Sequence, residues 1–269
     1  MSEKTRPALV VASMTHRGAL REENQDALCV AGAVRTGDMR SPEVLEARES
    51  PLLLAVIDGM GGHEGGEKAA RVLAETLAGG AVGVFGVELD LEEDERNLRS
   101  LLDKAALRMD ADVRRNPALG RMGATVSGVL IREKTALCFN CGDCRVYRLS
   151  GGELERLTRD HSIVQALYEK GEIAEDEMRV HPQKSVVTSA VSAGSAGAFE
   201  LYTKAVSRCE SDVFFLCSDG VWEAMGSRQL TQRLTRPSGT TLADAAKEFF
   251  DSLLAAGCRD NVSFLWQES

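Results

Sequence analysis

No stretch of this 269-residue chain approaches the apolar length needed to cross a bilayer. Its opening run, MSEKTRPALVVASM, also lacks the long apolar core of a signal peptide. A cytoplasmic protein with no membrane partner is therefore expected. A basic excess is missing too: 32 Lys and Arg stand against 41 Asp and Glu, a formal net charge of -9 at pH 7. Nucleic acid is not an expected partner, because nonspecific affinity for it comes from a basic face. The seven cysteines are odd in number and scattered, which suits reduced thiols better than a disulfide framework. No Cys/His set has zinc-type spacing, and no internal repeat or low-complexity segment appears.

What remains is ordinary globular material, 43% hydrophobic and 27% charged. The length allows one large domain or two small ones with a substantial core. Residues 52–67, LLLAVIDGMGGHEGGE, organise the rest. An apolar run over 52–57 reads as a strand buried on both faces, and it stops at Asp58 followed by a cluster of glycines. Glycine costs chain entropy and supplies no side chain, so such a cluster marks a backbone that must approach something closely. A carboxylate at that strand end, beside the Gly59 carbonyl, could hold a hard cation. An incidental acid in a glycine-rich turn is the other reading of the same residues.

In chain order, the patterns predict strands over 7–14 and 27–31, a mobile loop over 35–51, and the strand at 52–57. Helices are expected over 67–77, with Ala70, Leu73, Ala74 and Leu77 on one face, and over 91–115. Residues 79–86 read as a loop. Strands over 124–131, 135–140 and 145–149 read as an antiparallel meander, followed by a short strand at 153–157. Residues 160–170 and 175–178 read as helical, and 182–198 as irregular. Strands at 199–206, 212–217 and 262–266 and a helix over 242–254 complete the chain. The expected class is α+β with sheet packed on sheet.

Four acids share one local grammar, each at a predicted strand end beside Gly or Asn: Asp58, Asp143, Asp219 and Asp260. Asp26 lies just before a strand. Any one of these is ordinary turn chemistry. Brought together, they would repel unless protonated or neutralised by cations, and oxygen-only ligands suit Mg²⁺ or Mn²⁺.

Motifs run along most of the chain: REENQDA at 21–27, LAVIDGMGGHEGGE at 54–67, MGATV at 122–126, NCGDCRVYRL at 140–149, LTRDHS at 157–162, FLCSDGVWE at 215–223 and RDNVS at 259–263. In order and spacing they resemble the bacterial metal-dependent serine/threonine protein phosphatases, the PPM or protein phosphatase 2C family. The resemblance implies a β-sandwich of two antiparallel sheets flanked by helices (αββα), in a single domain over 1–269. It implies hydrolysis of phosphoserine and phosphothreonine in proteins by a metal-activated water, with two Mn²⁺ or Mg²⁺ ions and a possible weaker third.

By the same resemblance Asp58 bridges the two ions, the Gly59 carbonyl is a ligand, and Asp219 and Asp260 are direct ligands. Asp26 acts through a metal-bound water, Arg21 grips the substrate phosphate, and Asp143 belongs to the third site. Phosphoproteins are the expected partners, with a cognate Ser/Thr kinase opposing the enzyme, and the expected state is a monomer. A guanidinium suits the phosphate role because its planar fork matches two oxygens.

The chain departs from the family at two places. Met60 stands where many eukaryotic relatives have a histidine after the Asp-Gly pair; His63 is nearby, as general acid or as turn residue. A flap matching about 164–193 ends in VVTSAVS at 186–192, without the arginine common in that run. Two further readings concern chemistry outside phosphoryl transfer. One is a phosphatase-like binding module that has lost catalysis. The other is an iron–sulfur echo in Cys138-x-x-Cys141-x-x-Cys144, opposed by the odd spacing that sends Cys138 and Cys141 to opposite strand faces. Cys141 and Cys144 would face each other, within disulfide reach, if Gly142-Asp143 were a hairpin turn.

Overall fold

A computed structural model describes residues 8–80 and 83–269, with the side chain of His63 outside the description. Pro7, the first residue of the expected opening strand, and residues 81–82 of the expected loop at 79–86 also lie outside it. In chain order come β1 (Leu9–His16), β2 (Asp26–Val30), β3 (Ala33–Thr36), β4 (Glu43–Ala47) and β5 (Leu52–Met60), then α1 (His63–Gly80) and α2 (Leu91–Arg115). Next are β6 (Gly123–Ile131), β7 (Thr135–Cys141), β8 (Arg145–Ser150), β9 (Glu153–Arg156), α3 (Ile163–Glu169) and β10 (Val191–Ser192). The chain closes with β11 (Tyr202–Ser207), β12 (Val213–Cys217), α4 (Asp219–Ala224), α5 (Ser227–Leu234), α6 (Leu242–Ala255) and β13 (Val262–Glu268). Among the described residues no helix is long and apolar enough to cross a membrane.

The strands form two antiparallel sheets, in the orders β4-β1-β13-β12-β8-β9 and β11-β7-β6-β5-β2-β3, with β10 paired to β6. The α+β sandwich expected from the sequence is present. Three apolar layers hold it. One lies between the sheets, one between the second sheet and α1 and α2, and one between the first sheet and α4, α5 and α6.

Strand β5 shows why its sequence does not alternate. Leu52, Leu54 and Val56 point into the layer between the sheets, and Leu53, Ala55 and Ile57 point to the helices. A strand covered on both faces is apolar at every position. The same parity positions the acids. Residues 52, 54 and 56 share a face with Asp58, as Leu28 and Val30 of β2 share one with Asp26. The layer between the sheets therefore runs out, at one end of the sandwich, into carboxylates.

Neighbouring strands change in step. On that face β1 turns from Val11 to Thr15, β6 from Val129 to Ser127 and Thr125, and β13 from Leu265 to Ser263. All four of those hydroxyl residues are buried. A buried hydroxyl costs free energy unless it is bonded. Ser263 Oγ accordingly donates to Thr15 Oγ1 at 2.8 Å, and Asn24 Nδ2 donates to the same oxygen at 2.8 Å.

Four expectations are corrected. Residues 35–51 are not one loop: β3 runs to Thr36 and Glu43–Ala47 pairs with β1 as an edge strand. Its EVLEA sequence is mostly exposed, so it carries no apolar alternation to read. The meander also fails. Strand β6 pairs with β7, but β8 pairs with β12 and β9 in the other sheet. Residues 142–144 are thus a crossing between sheets, with Gly142 at φ 108° against Thr125. Helix α1 begins at His63, four residues before the apolar periodicity, because Gly65 and Gly66 pack against neighbouring backbone and side chains. Helices α4 and α5 carry no periodicity long enough to predict them, and they are additions to the expected set.

The crossing settles the cysteine expectations. Cys141 belongs to the layer under the helices, whereas Cys138 and Cys144 belong to the layer between the sheets. Cys141 and Cys144 are therefore not opposed in a hairpin, and both are free thiols. Cys144 Sγ lies 3.2 Å from Thr125 Oγ1, and Cys141 Sγ lies 3.6 Å from Ser189 Oγ. Three thiols divided between two layers do not make an iron–sulfur ligand set.

Candidate metal centre and active site

Strand register places the first two acids. Asp26 and Asp58 are direct cross-strand partners in β2 and β5, and Thr125 faces Asp58 from β6. Asp26 is buried, while Asp58 is half-buried on the floor of a cleft. Asp26 Oδ2 accepts from Ser218 Oγ at 2.9 Å, while its Oδ1 is buried without a partner. Asp219 follows Ser218 directly as the first residue of α4 and is also buried. Asp260 lies in the turn before β13 and accepts from Arg21 Nη2 at 2.6 Å. Arg21, Asp58, Gly59, Met60, Asp260 and Asn261 line a cleft of about 520 Å³ at this end of the sandwich.

Electrostatics reflects the crowding. Burial, opposed in part by the nearby hydroxyls of Ser263 and Ser218, raises the Asp26 carboxyl to about 6. Burial, then the charges of Asp26, Asp219, Asp143 and Asp260, holds Asp58 well above the usual carboxylate range. Asp219 is raised by burial and by Asp143 and Asp260. Asp143 is pushed up to about 7 by burial and by Asp160, against the pull of Arg145. Carboxylates in such mutual repulsion favour whatever supplies positive charge.

Glycine is required where the chain turns away from Asp58. A Cβ on Gly59 would lie 2.2 Å from the Gly66 carbonyl oxygen and 2.5 Å from that of Gln25. A Cβ on Gly220 would lie 2.1 Å from the Asn261 carbonyl oxygen, so α4 and the 260–261 turn touch through backbone alone.

The donor set is oxygen-only, anionic and partly desolvated, and one buried carboxylate oxygen lacks a partner. This fits hard divalent cations and not zinc or an iron–sulfur cluster. Among the described residues no three acidic, histidine or cysteine side chains already form a closed ligand cage. The acids instead line the cleft and the layer beneath it.

Asp143 stands deeper, on the crossing between sheets. Its backbone carbonyl accepts from Trp222 Nε1 at 3.0 Å, which ties it to the helix that carries Asp219. The Arg145 guanidinium lies 3.7 Å over the Trp222 ring and bonds both oxygens of Asp160, the shortest contact being 2.6 Å. Burial alone would lower Arg145; the Asp160 charge overrides it and keeps the guanidinium ionised. His161 Nδ1 accepts from Gly142 N at 3.0 Å, and the backbone N–H of His161 donates to Gly142 O at 2.8 Å. The turn that presents Asp143 is thus clamped from two sides.

Three residues to which the sequence patterns assigned no role hold the site together. Asn261 Oδ1 accepts from Gln25 N, and its Nδ2 donates to Glu23 O and Arg17 O, at 2.9, 2.8 and 3.2 Å. One amide therefore fixes the segment carrying Arg21 and Asp26 to the turn carrying Asp260. Ser218 donates to Asp26 and accepts from Ser263 N. Glu223, one helical turn after Asp219, is ion-paired with Lys184. Asn261 and Ser218 fall inside the motifs RDNVS and FLCSDGVWE, next to the acids; only their hydrogen-bond partners mark them out.

The sequence profile of the protein phosphatase 2C family matches residues 13–262. The chain belongs to this family. Among sequence relatives, the serine/threonine phosphatase stp of Listeria monocytogenes is 28% identical over 254 residues, covering 94% of this chain and 93% of that one. The crystal structure of the Mycobacterium tuberculosis serine/threonine phosphatase PstP/Ppp is 27% identical and superposes with a TM-score of 0.78, covering 97% of this chain and 99% of that one. A crystal structure of the PstP catalytic domain in complex with two manganese ions is 26% identical, with a TM-score of 0.75 and coverage of 97% and 98%. This phosphatase 2C chain shares the two-sheet architecture of those proteins over nearly its whole length.

Proposed function

We propose that this protein hydrolyses phosphoserine and phosphothreonine in proteins, as one phosphatase domain over 1–269 with a two-metal centre at the end of its sandwich. The observation that carries the reading is the meeting of Arg21 with Asp26, Asp58, Asp219 and Asp260 at one end of the sandwich, in a chain of the phosphatase 2C family. Asp58, Asp219, Asp260 and the Gly59 carbonyl would hold two Mn²⁺ or Mg²⁺ ions, with Asp26 contributing from β2 through water. Asp143 would hold a weaker third ion, sharing Asp219. Bound ions supply an activated water and offset charge on the phosphoryl oxygens.

The rest falls to the chain. Arg21 presents its fork to the phosphoryl group, and its bond to Asp260 sets the direction from which it does so. Asn261 keeps that arm in register. The cysteines take no part as nucleophiles: burial pushes Cys144 far above its ordinary value, and a buried neutral thiol is inert. The cleft is open enough for a phosphorylated side chain on a polypeptide. The reading extends to a cytoplasmic monomer opposing a Ser/Thr kinase, supported by the acidic, reduced-thiol composition and by the bacterial phosphatases it resembles.

Calorimetric titration of Mn²⁺, with turnover of p-nitrophenyl phosphate measured alongside, tests the assignment. Asp219→Asn should abolish most turnover and weaken binding of the central ions. Asp143→Ala should leave the fold and two-ion binding intact while lowering turnover. Near-normal activity of Asp219→Asn at limiting Mn²⁺ refutes the metal reading. Unchanged turnover of Asp143→Ala with a lowered melting temperature leaves Asp143 as a turn residue.

A further inference from the structure

Beside the catalytic cleft lies a second groove, of about 440 Å³, lined on one side by Met60 and Arg121 and on the other by Ser189, Ala190, Ser192 and Phe199. Met60 lines both spaces, so its side chain, exposed at the surface, is the shared wall between groove and cleft. Most of the groove wall is small: Ser and Ala dominate the stretch from 188 to 198 that faces β6. Among its described lining residues Arg121 is the one charged side chain. Arg121 is exposed, and among the described residues its guanidinium has no hydrogen bond or ion pair. Elsewhere in the molecule the guanidiniums of Arg21, Arg108, Arg132, Arg145 and Arg159 are each engaged with carboxylates.

The placement of Arg121 relative to the reacting centre is set by backbone. Met60 is the cross-strand partner of Gly123, and a Cβ on Gly61 would lie 2.6 Å from the Arg121 carbonyl oxygen. Arg121 therefore stands beside Gly61, three residues along the chain from Asp58. Three residues of extended chain span about 10 Å. A polypeptide whose phosphoresidue sits at Arg21 and the acids, and which continues over Met60, would bring a residue about three positions away to the Arg121 guanidinium.

We propose that Arg121 is a specificity-determining residue that reads an anionic side chain flanking the phosphoresidue of the substrate. The occupant of the groove is the substrate's own chain, argued from the groove adjoining the cleft across the single side chain of Met60, and the proposal rests on the phosphatase reading above. Small walls admit varied side chains, and the flap run at 186–192 carries no charge of its own. Selection then falls to the Arg121 guanidinium, unpaired among the described residues, whose planar fork can donate to a carboxylate or a second phosphate equally well by geometry.

The test compares Mn²⁺-loaded wild-type protein with Arg121→Ala and Arg121→Lys on phosphothreonine peptides. Each peptide carries Ala, Glu, Lys or phosphoserine three positions from the phosphothreonine, on either side. The readout is the ratio of kcat/KM for the anionic peptide to that for its Ala counterpart. In wild type that ratio should be about threefold to fivefold for Glu on one side, the upper part of the range for an exposed ion pair. It should be larger for phosphoserine, which carries more charge. Arg121→Ala should bring both ratios to about one, and Arg121→Lys should restore them in part. A gain with Glu assigns the groove to acidic sequences; a gain with phosphoserine alone assigns it to clustered phosphorylation. Equal kcat/KM for all peptides in wild type, or ratios unchanged in Arg121→Ala, overturns the proposal. Failure to release phosphate from any peptide would instead refute the phosphatase reading.

Discussion

Asn261 is the side chain on which the geometry of the cleft turns, and removing it tests the account of how the site is assembled. It is 6% exposed and makes three bonds to backbone groups of the segment that carries Arg21 and Asp26. A net contribution of about 0.5–1.5 kcal/mol for each bond gives about 1.5–4.5 kcal/mol together. The partners are only part-buried, so water can satisfy some of them after truncation. The loss for Asn261→Ala is therefore expected at the lower end, about 2 kcal/mol. Asn261→Asp keeps the acceptor for Gln25 N–H but discards both donors and adds a charge beside Asp260. It should be the less stable of the two without divalent ions, and should regain more on Mn²⁺ addition.

Urea unfolding with and without Mn²⁺ measures these differences, and p-nitrophenyl phosphate kinetics reports the site. Freed from Glu23 and Gln25, the arm bearing Arg21 is no longer held against Asp260, so KM should rise more than kcat falls. An Asn261→Ala protein within about 0.5 kcal/mol of wild type, the range of ordinary surface substitutions, and with unchanged KM would refute the reasoning. The arm would then be held by its other contacts, such as Asn24 with Thr15.

Two other outcomes concern titratable groups. Burial lowers the His161 imidazole below its ordinary value of 6.5, partly offset by Glu200 at 3.8 Å. The folded state thus holds His161 neutral, and its stabilising effect is complete above 6.5 and is lost as pH falls through the lowered value. The stability gap between wild type and His161→Gln should narrow from pH 7.5 to 5.5 in chemical denaturation; a constant or widening gap refutes this. Burial also pushes Cys29 and Cys141 up to about 12, whereas Cys209 is exposed. Iodoacetamide at pH 8 on the native protein should give one adduct, at Cys209, by mass analysis. Adducts at Cys141 or Cys144, or a disulfide joining them, would contradict the assignment of those two thiols to different layers.

How far the sequence could be read depended on what each residue type reports. The run over 52–57 announced a strand covered on both faces because every position is apolar, and the structure gives each parity its own layer. Strand β4 left no such mark, since an edge strand needs only one neighbour and most of EVLEA faces solvent. The sheet crossing after β7 was hidden for a different reason. Cys-Gly-Asp-Cys is as compatible with a hairpin as with a crossing, and what decides is distant: β8 finds β12 and β9, while β7 stays with β6 and β11. Local turn chemistry does not contain that information.

The candidate site divides along the same line. Its acids were visible because a carboxylate at a strand end beside glycine is locally odd. Asn261 and Ser218 were not, since Asn and Ser in turns are ordinary and their partners lie 236 and 192 residues away. Arg121 is the opposite case. A lone arginine before MGATV passes for surface composition in any sequence, and its exposure and lack of a partner among the described residues are visible only in the structure. Only the register of β5 with β6 shows it lining a groove that adjoins the acid-lined cleft across Met60. The acids are set by parity along each strand, the residues that hold and extend the site by pairing between strands. A single chain read in order exposes the first and conceals the second.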